Sequence, residues 1–164
     1  MTIKIVKADT SHVEGIAKVC TDATRATYRD IYTDEQIETI IKEFYKPERI
    51  LKEVSTTTEG WGGYFVAVED DVVIGAGGGG MIRKDVGEIY VLYLKPDRRN
   101  EGIGTYLVHA ITEQQKEYHA KEQWVSVQKG NEKGIPFYEA KGFQFQYEET
   151  ENGYISLRYK RSIH

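Results

Sequence analysis

Residues 95–104 read KPDRRNEGIG and join a strand-like segment to a helix-like one. Before them, the sequence GEIYVLYL at 87–94 is rich in aromatic and β-branched residues, which is typical of a strand. After them, apolar residues recur at helical spacing through 103–111. We therefore expect backbone N–H groups around Gly102 and Gly104 to point outward at a helix N-terminus. Unpaired donors and the helix dipole at such a terminus favour a pyrophosphate.

Two blocks of sequence carry a resemblance to a known family. The spacing Arg99-x-x-Gly102-x-Gly104 resembles the acetyl-CoA signature Gln/Arg-x-x-Gly-x-Gly/Ala of the GCN5-related N-acetyltransferases (GNAT). Residues 131–143, NEKGIPFYEAKGF, resemble the Asn…Phe-Tyr…Gly-Phe block of the same superfamily, in the same order and at the usual separation. On these blocks the chain is identified as a member of the small, single-domain bacterial type, with residues 1–164 as one acetyltransferase domain.

The resemblance implies an α/β (α+β) fold with a mixed central β-sheet, a splayed pair of parallel strands and flanking helices. Hydrophobic spacing predicts the compatible element order β-α-α-β-β-β-α-β-α-β-β. Thr33 and Gln36 form a capping box that opens the second helix, and Pro47 is expected to end it. The strand before the basic turn, a helix over 102–119 and a strand over 124–128 make a βαβ unit with parallel strands.

Composition limits the classes of protein that fit. The chain has 164 residues, of which 40% are hydrophobic and 29% charged, as in an ordinary globular domain. Its formal net charge of −4 argues against a general binder of nucleic acid or of anionic membranes. The single cysteine excludes an internal disulfide, and the four histidines lack metal-ligand spacing, so we expect no metal. No signal peptide or apolar span is evident, and we predict a cytoplasmic protein.

A glycine cluster at 75–80 also fits the dinucleotide-binding pattern Gly-x-Gly-x-x-Gly. That pattern needs a helix directly after the glycines, whereas residues 81–87 lack a helical apolar stripe and lead into another strand. We therefore interpret the cluster as a strand that is bulged or closely approached by another backbone or a ligand. In the resembled fold this strand lies beside the substrate cleft, which the missing side chains are expected to widen.

The resemblance implies acetyl-CoA as cosubstrate. Its pantetheine arm would lie between the splayed strands, paired with the backbone at Leu92 and Leu94, and its pyrophosphate would meet the turn at 99–104. A backbone N–H near Leu92 or Leu94 would stabilise the oxyanion. Arg98 is expected either to neutralise phosphate charge or to be a solvated loop residue. The expected cofactor-binding residues are Leu92, Tyr93, Leu94, Arg99, Asn100, Glu101, Gly102, Ile103, Gly104, Thr105, Asn131 and Tyr138.

Two residues are candidates for catalysis. Tyr138 matches the general acid that protonates the departing thiolate in the family, and the alternative is a core tyrosine. Glu88 matches the glutamate that often acts as base from the CoA-binding strand, and the alternative is an idle residue at an exposed strand start. Asn131 is expected to contact CoA, to cap a helix, or both. Pro136 lacks an N–H, which predicts a late start or a kink in the helix that carries Tyr138.

We predict direct transfer of acetyl from acetyl-CoA to a primary amine. Tyr28 and Tyr32 are candidate acceptor contacts, and nearby Asp30, Asp34 and Glu35 favour cationic amines. A polyamine, an amino-sugar, an amino acid and a protein or peptide N-terminus all stay open as acceptors. The alternatives are a non-catalytic CoA-binding or sensor module and a nucleotide-binding protein. The expected partners are therefore a small-molecule amine or a peptide N-terminus, without nucleic acid or membrane, and the chain is a monomer or homodimer.

Overall fold

The structure, a computed structural model, describes residues 2–164 as one seven-stranded sheet with helices packed against it. The strands are β1 (Ile3–Lys7), β2 (Tyr64–Glu69), β3 (Val72–Arg83), β4 (Val86–Leu94), β5 (Glu122–Gln128), β6 (Gln144–Glu151) and β7 (Tyr154–Ser162). The helices are α1 (Val13–Tyr28), α2 (Asp34–Phe44), α3 (Pro47–Val54), α4 (Ile103–Glu117) and α5 (Gly134–Ala140), preceded by a 3-10 turn at Thr10–His12.

The sheet runs in the order β1-β2-β3-β4-β5-β7-β6. Its central neighbours β4 and β5 are parallel, and every other neighbouring pair is antiparallel. The predicted mixed sheet with one parallel pair is therefore confirmed. The parallel pair arises because α4 carries the chain back across the sheet between the two strands.

The parallel pair separates part of the way along. β4 and β5 are in register from Val86 opposite Glu122 to Ile89 opposite Val125, and beyond this point they are no longer paired. A β-bulge coincides with the separation, because Val91 faces Gly78 and Ile89 faces the next residue of β3, which leaves Tyr90 as the extra residue. A bulge bends its strand and increases the local twist. We call this split the fork of the sheet.

The region between the first helices and the sheet differs from the expectation at one element. The capping box is confirmed, since Gln36 N–H donates to Thr33 Oγ1 at 3.1 Å and Thr33 N–H to Gln36 Oε1 at 3.0 Å. Pro47, however, opens the additional helix α3 instead of only ending α2. Proline suits the first turn of a helix, where its missing N–H has no intrahelical partner. The predicted element order therefore lacked one helix.

The glycine cluster lies in β3 and is followed by the strand β4. The helix that a dinucleotide-binding site needs directly after its glycines is therefore not there, as expected. A Cβ on Gly80 would lie 2.2 Å from the carbonyl oxygen of Gly60, and one on Gly79 would lie 2.1 Å from that of Glu88. The loop at 59–63 runs over this part of β3, where Met81 N–H donates to the Glu59 carbonyl at 2.8 Å. Protein backbone fills the space, so the expectation that these glycines widen a cleft is wrong.

Two apolar clusters cover the sheet. One contains α1 residues such as Ile16 and Cys20 together with Ile50 of α3, and the other contains α4 and α5 residues such as Ile111 and Tyr138. In the stretch 2–164 no helix is long and apolar enough to cross a membrane. The two packed layers hold β4 in the centre of the molecule, where the fork opens.

Candidate active site

A cleft of about 980 Å³ opens at the fork. Its walls include residues 90–94 of β4, where β4 stays paired with β3 but no longer with β5, and the facing residues 125–128 of β5. Tyr138 of α5 borders the cleft, as do Arg99 and Gly104 at the start of α4. The cleft therefore brings together the strand, the basic turn and the candidate acid that the sequence places far apart along the chain.

The turn before α4 leaves the N-terminus of this helix without a side-chain cap. Gly102 is the N-cap residue, with φ of +81°, and no side chain accepts a hydrogen bond from the first-turn N–H groups. Asn100 also has a positive φ, +66°, which Asn tolerates better than most residues. N–H donors without a side-chain cap at the positive end of the helix dipole suit a diphosphate, so the residues fit the pyrophosphate of acetyl-CoA.

The two arginines of the turn have different surroundings. Arg98 forms a two-pronged pair with Glu69 at 2.8 and 3.0 Å and a second pair with Glu101 at 2.8 and 3.0 Å. These hydrogen bonds lower the pKa of both carboxyl groups. Arg99, in contrast, borders the cleft. Arg98 and the side chain of Glu101 thus fix the turn to the end of β2, and Arg99 is the arginine available to a ligand.

Tyr138 is buried at the cleft wall, with 8% of its surface exposed. Phe137 and Phe143 pack edge-on against its ring at centroid distances of 5.1 and 5.5 Å. Burial, and secondarily the nearby Tyr28, raise the pKa of Tyr138 above its usual value. The phenol is therefore protonated at neutral pH and can donate a proton into the cleft.

Asn131 lies just before α5, where it holds the start of the helix and faces the cleft. Its Oδ1 accepts a hydrogen bond from Gly134 N–H at 2.9 Å, and the residue also borders the cleft. The helix begins only at Gly134, with Pro136 inside its first turn. The late start predicted from Pro136 is what the structure has, and Tyr138 still reaches the cleft.

Glu88 lies at the closed end of the fork, apart from Tyr138. Both of its carboxylate oxygens accept hydrogen bonds from Arg158 of β7 at 2.8 Å, and Arg158 also donates to Ser126 Oγ of β5 at 2.6 Å. The two charged side chains are only 15% and 11% exposed. Glu88 is not among the residues that border the cleft. Its carboxylate ties β4 to β5 and β7 where the strands begin to separate.

Several tyrosine side chains also line the cleft. The Tyr28 and Tyr93 hydroxyls lie 3.3 Å apart, and the Tyr32 hydroxyl donates to Gln128 Oε1. Tyr154 packs edge-on against Tyr32 at 4.8 Å between ring centroids. Burial raises the pKa of Tyr32 to about 12. The candidate acceptor contacts Tyr28 and Tyr32 both border the cleft, and Tyr28 is also close to Tyr138.

The acidic residues of the cleft are not the ones expected. Asp30, Asp34 and Glu35 are exposed and do not border it. Asp34 and Glu35 occupy the first turn of α2, where the helix dipole favours negative charge. The carboxylates that border the cleft are Glu43, Glu53 and Glu151. Glu53 belongs to α3, the helix absent from the predicted order, so no pattern in the sequence pointed to it.

Comparison with known proteins identifies a family model and a named enzyme that are similar to this chain. The model of the acetyltransferase (GNAT) family matches residues 22–143. A spermidine N(1)-acetyltransferase of Thermoplasma acidophilum is 29% identical over 147 residues, which cover 89% of this chain and 91% of that protein.

Solved structures agree in overall shape. The PaiA N-acetyltransferase of Thermoplasma acidophilum, in complex with coenzyme A, superposes with a TM-score of 0.85 at 27% identity, over 98% of this chain and 100% of that one. The ribosomal-protein-S18-alanine N-acetyltransferase of Escherichia coli superposes with a TM-score of 0.71 at 13% identity, over 99% and 94% of the two chains. At this lower identity the second likeness shows the fold alone.

Proposed function

The chain belongs to the GNAT acetyltransferase family and uses acetyl-CoA as cosubstrate, and we propose that it transfers the acetyl group directly to a primary amine of a small cationic acceptor. One domain, residues 1–164, would carry the whole reaction. The observation that carries the proposal is the convergence of the fork, the uncapped start of α4 and Tyr138 on one cleft.

Each part of the cleft has a separate task in this proposal. The first-turn N–H groups of α4 and Arg99 bind the pyrophosphate. The backbone at Leu92 and Leu94, which has no strand partner on its β5 side, binds the pantetheine arm. Acetyl-CoA supplies an activated thioester. A backbone N–H of the same half-strand stabilises negative charge on the acetyl oxygen, and Tyr138 protonates the departing sulfur.

The remaining predicted contacts follow from this arrangement. Tyr93 belongs to the same half-strand, Asn100 and Glu101 to the turn, and Ile103 and Thr105 to the first turn of α4. We propose backbone rather than charged side-chain contacts for these residues, since the Glu101 carboxylate is held by Arg98. Proton removal from the amine is not assigned to Glu88 here, because both carboxylate oxygens are held by Arg158. Its role as base stays a prediction.

A small cationic amine is the acceptor class best supported. The relative that covers nine-tenths of the chain is named for acetylation of spermidine, a polyamine. The three carboxylates at the cleft would attract a positively charged acceptor, and this attraction would weaken as ionic strength rises. The test is a panel of polyamines, amino-sugars, amino acids and peptides with acetyl-CoA, monitored by release of free thiol. A preference for anionic amines would contradict the acceptor class. Binding of CoA without thiol release from any amine would instead favour the non-catalytic module.

Replacement of the proposed acid gives a second test. Tyr138→Phe is expected to lower kcat by about 10- to 1000-fold with little change in acetyl-CoA affinity, because only protonation of the sulfur is lost. The raised pKa of Tyr138 keeps the phenol protonated, so the wild-type rate should not fall with loss of this proton until the pH exceeds the usual tyrosine value of about 10. Tyr106→Phe, which alters an exposed tyrosine of α4, is the matched control. Wild-type turnover in Tyr138→Phe would count against the acid role.

A further inference from the structure

Glu53 presents an unusual carboxylate at the α3 end of the cleft. Its Oε1 atom is buried and has no hydrogen-bond partner among residues 2–164. Burial raises the pKa of the Glu53 carboxyl group because the charged form is removed from water, and the neighbouring Arg49 and Tyr64 side chains offset only part of this effect. A buried acceptor without a partner is destabilising unless a ligand or water supplies the missing donor. This position therefore favours a donor that arrives with a ligand.

The neighbouring arginine contacts only one oxygen of this carboxylate. Arg49 Nε reaches only the other oxygen, Oε2, at 3.5 Å. Its guanidinium lies over the Phe44 ring at 4.8 Å and donates to the backbone carbonyl of Glu43 at 3.3 Å. Arg49 thus divides its contacts among Glu53 Oε2, the Phe44 ring and the Glu43 carbonyl, and it makes no hydrogen bond to Glu53 Oε1.

The surroundings of Glu53 suit an ammonium group in two further ways. Trp61 is held beside Glu53 because its indole N–H donates to the Glu53 backbone carbonyl at 2.9 Å. Trp61 and Tyr45 both border the cleft, and ring faces attract cations. Glu53 also lies in the last turn of α3, where the helix dipole is negative. Carboxylate, aromatic rings and helix end all favour the same sign of charge.

We propose that Glu53, together with Trp61 and Tyr45, binds a second ammonium group of the acceptor while its first amine lies near Tyr138. The inference rests on the proposed function and adds a specificity determinant to it. Linear diamines and polyamines are then preferred over monoamines of similar chain length, because only the former reach both positions. The same cleft would take up a monoamine without any contribution from Glu53.

The experiment compares putrescine, spermidine and n-butylamine as acceptors for the wild type, Glu53→Gln and Glu48→Gln. We expect the wild type to prefer putrescine or spermidine over n-butylamine in kcat/KM by about 10-fold or more. Glu53→Gln should remove most of that preference by raising KM for the diamine, with n-butylamine and acetyl-CoA unaffected. Glu48→Gln removes an equal charge from an exposed residue of the same helix that does not border the cleft, and it should change every value by less than about 2-fold.

Inhibition of the wild type gives a readout that does not depend on a folded variant. Doubly protonated N,N,N′,N′-tetramethylputrescine keeps an N–H donor on each nitrogen but is not acetylated to a stable amide, and it should compete with the amine at least about 10-fold better than protonated N,N-dimethylbutylamine. Equal inhibition by the two ions, or equal kcat/KM for putrescine and n-butylamine, would overturn the subsite and leave acetyl transfer intact. Equal losses for both amines in Glu53→Gln would also overturn it. If no amine is acetylated, the proposed function itself fails, and the subsite with it.

Discussion

Two glycine-rich segments of this chain look alike in sequence and differ in what surrounds them. In the first, residues 75–80 of β3, a Cβ on Gly79 or Gly80 would collide with backbone carbonyl oxygens. In the second, at the start of α4, a Cβ on Gly102 would have no atom nearer than the Tyr106 ring at 3.8 Å. The first segment makes room for the protein itself, and the second leaves a helix terminus open beside the cleft.

A glycine pattern therefore does not by itself indicate a ligand. At Gly79 the space is used by the Glu88 carbonyl, to which Gln115 Nε2 also donates at 2.9 Å. Gly87 makes room for the same Gln115 side chain, since its Cβ would lie 2.1 Å from Gln115 Oε1. The glycines therefore accommodate the bulge in β4 and the side chain that supports it. Substitutions at Gly79, Gly104 and Glu88 test this difference between the two segments.

The largest effect is expected at the packed segment. Gly79→Ala places a methyl group 2.1 Å from the backbone oxygen of Glu88, which cannot move without disturbing the bulge. We expect a loss of about 3 kcal/mol in the free energy of unfolding, and a Tm lower by about 10 °C. Thermal denaturation measures this, with Gly60→Ala as control because its nearest neighbouring atom lies 3.8 Å away. An equal Tm for the two variants would contradict the packing account.

The next effect concerns the open segment. Gly104→Glu places bulk and negative charge where the pyrophosphate is proposed to bind, while its Cβ meets only side-chain atoms, the nearest being Phe137 Cζ at 3.1 Å. At about 100 times Kd, acetyl-CoA should stabilise the wild type by about 2.7 kcal/mol and the variant not at all. The ligand-induced change in Tm measures this, and NAD and ATP serve as control ligands. A shift retained in Gly104→Glu, or an equal shift with NAD, would reject this binding site.

The smallest effect is expected at Glu88, whose backbone carbonyl packs against Gly79 in the first segment. Glu88→Gln breaks the two-pronged pair with Arg158 but keeps the shape of the side chain, and should cost about 1.5 kcal/mol in unfolding free energy. If Glu88 only holds the strands, the pH profile of kcat/KM keeps its shape. If it is the general base, the ascending limb disappears and activity returns at high pH, where the free amine is abundant. The profile decides between the two roles.

Local sequence predicted the parts of the molecule that depend on neighbouring residues. The basic turn before α4 and the capping box at Thr33 each rest on spacing within one short block, and each appears where expected. Tyr138 was singled out by the family resemblance; it borders the cleft, and its role as acid stays a prediction. The Glu88–Arg158 pair joins residues that are 70 positions apart, and no local pattern links them. Glu53 was missed for a different reason, since Pro47 signals both the end of one helix and the start of another.

The fork gives this sheet two edges in its interior. An open sheet ordinarily has two outer edges, which here are β1 and β6. Beyond Ile89 and Val125, the facing sides of β4 and β5 add a second pair of edges. Exposed edges invite pairing with strands of other chains, which leads to aggregation. An edge enclosed in a cleft between two packed layers admits a thin extended molecule but not a folded sheet, so the protein keeps strand-like recognition while avoiding self-association at that position.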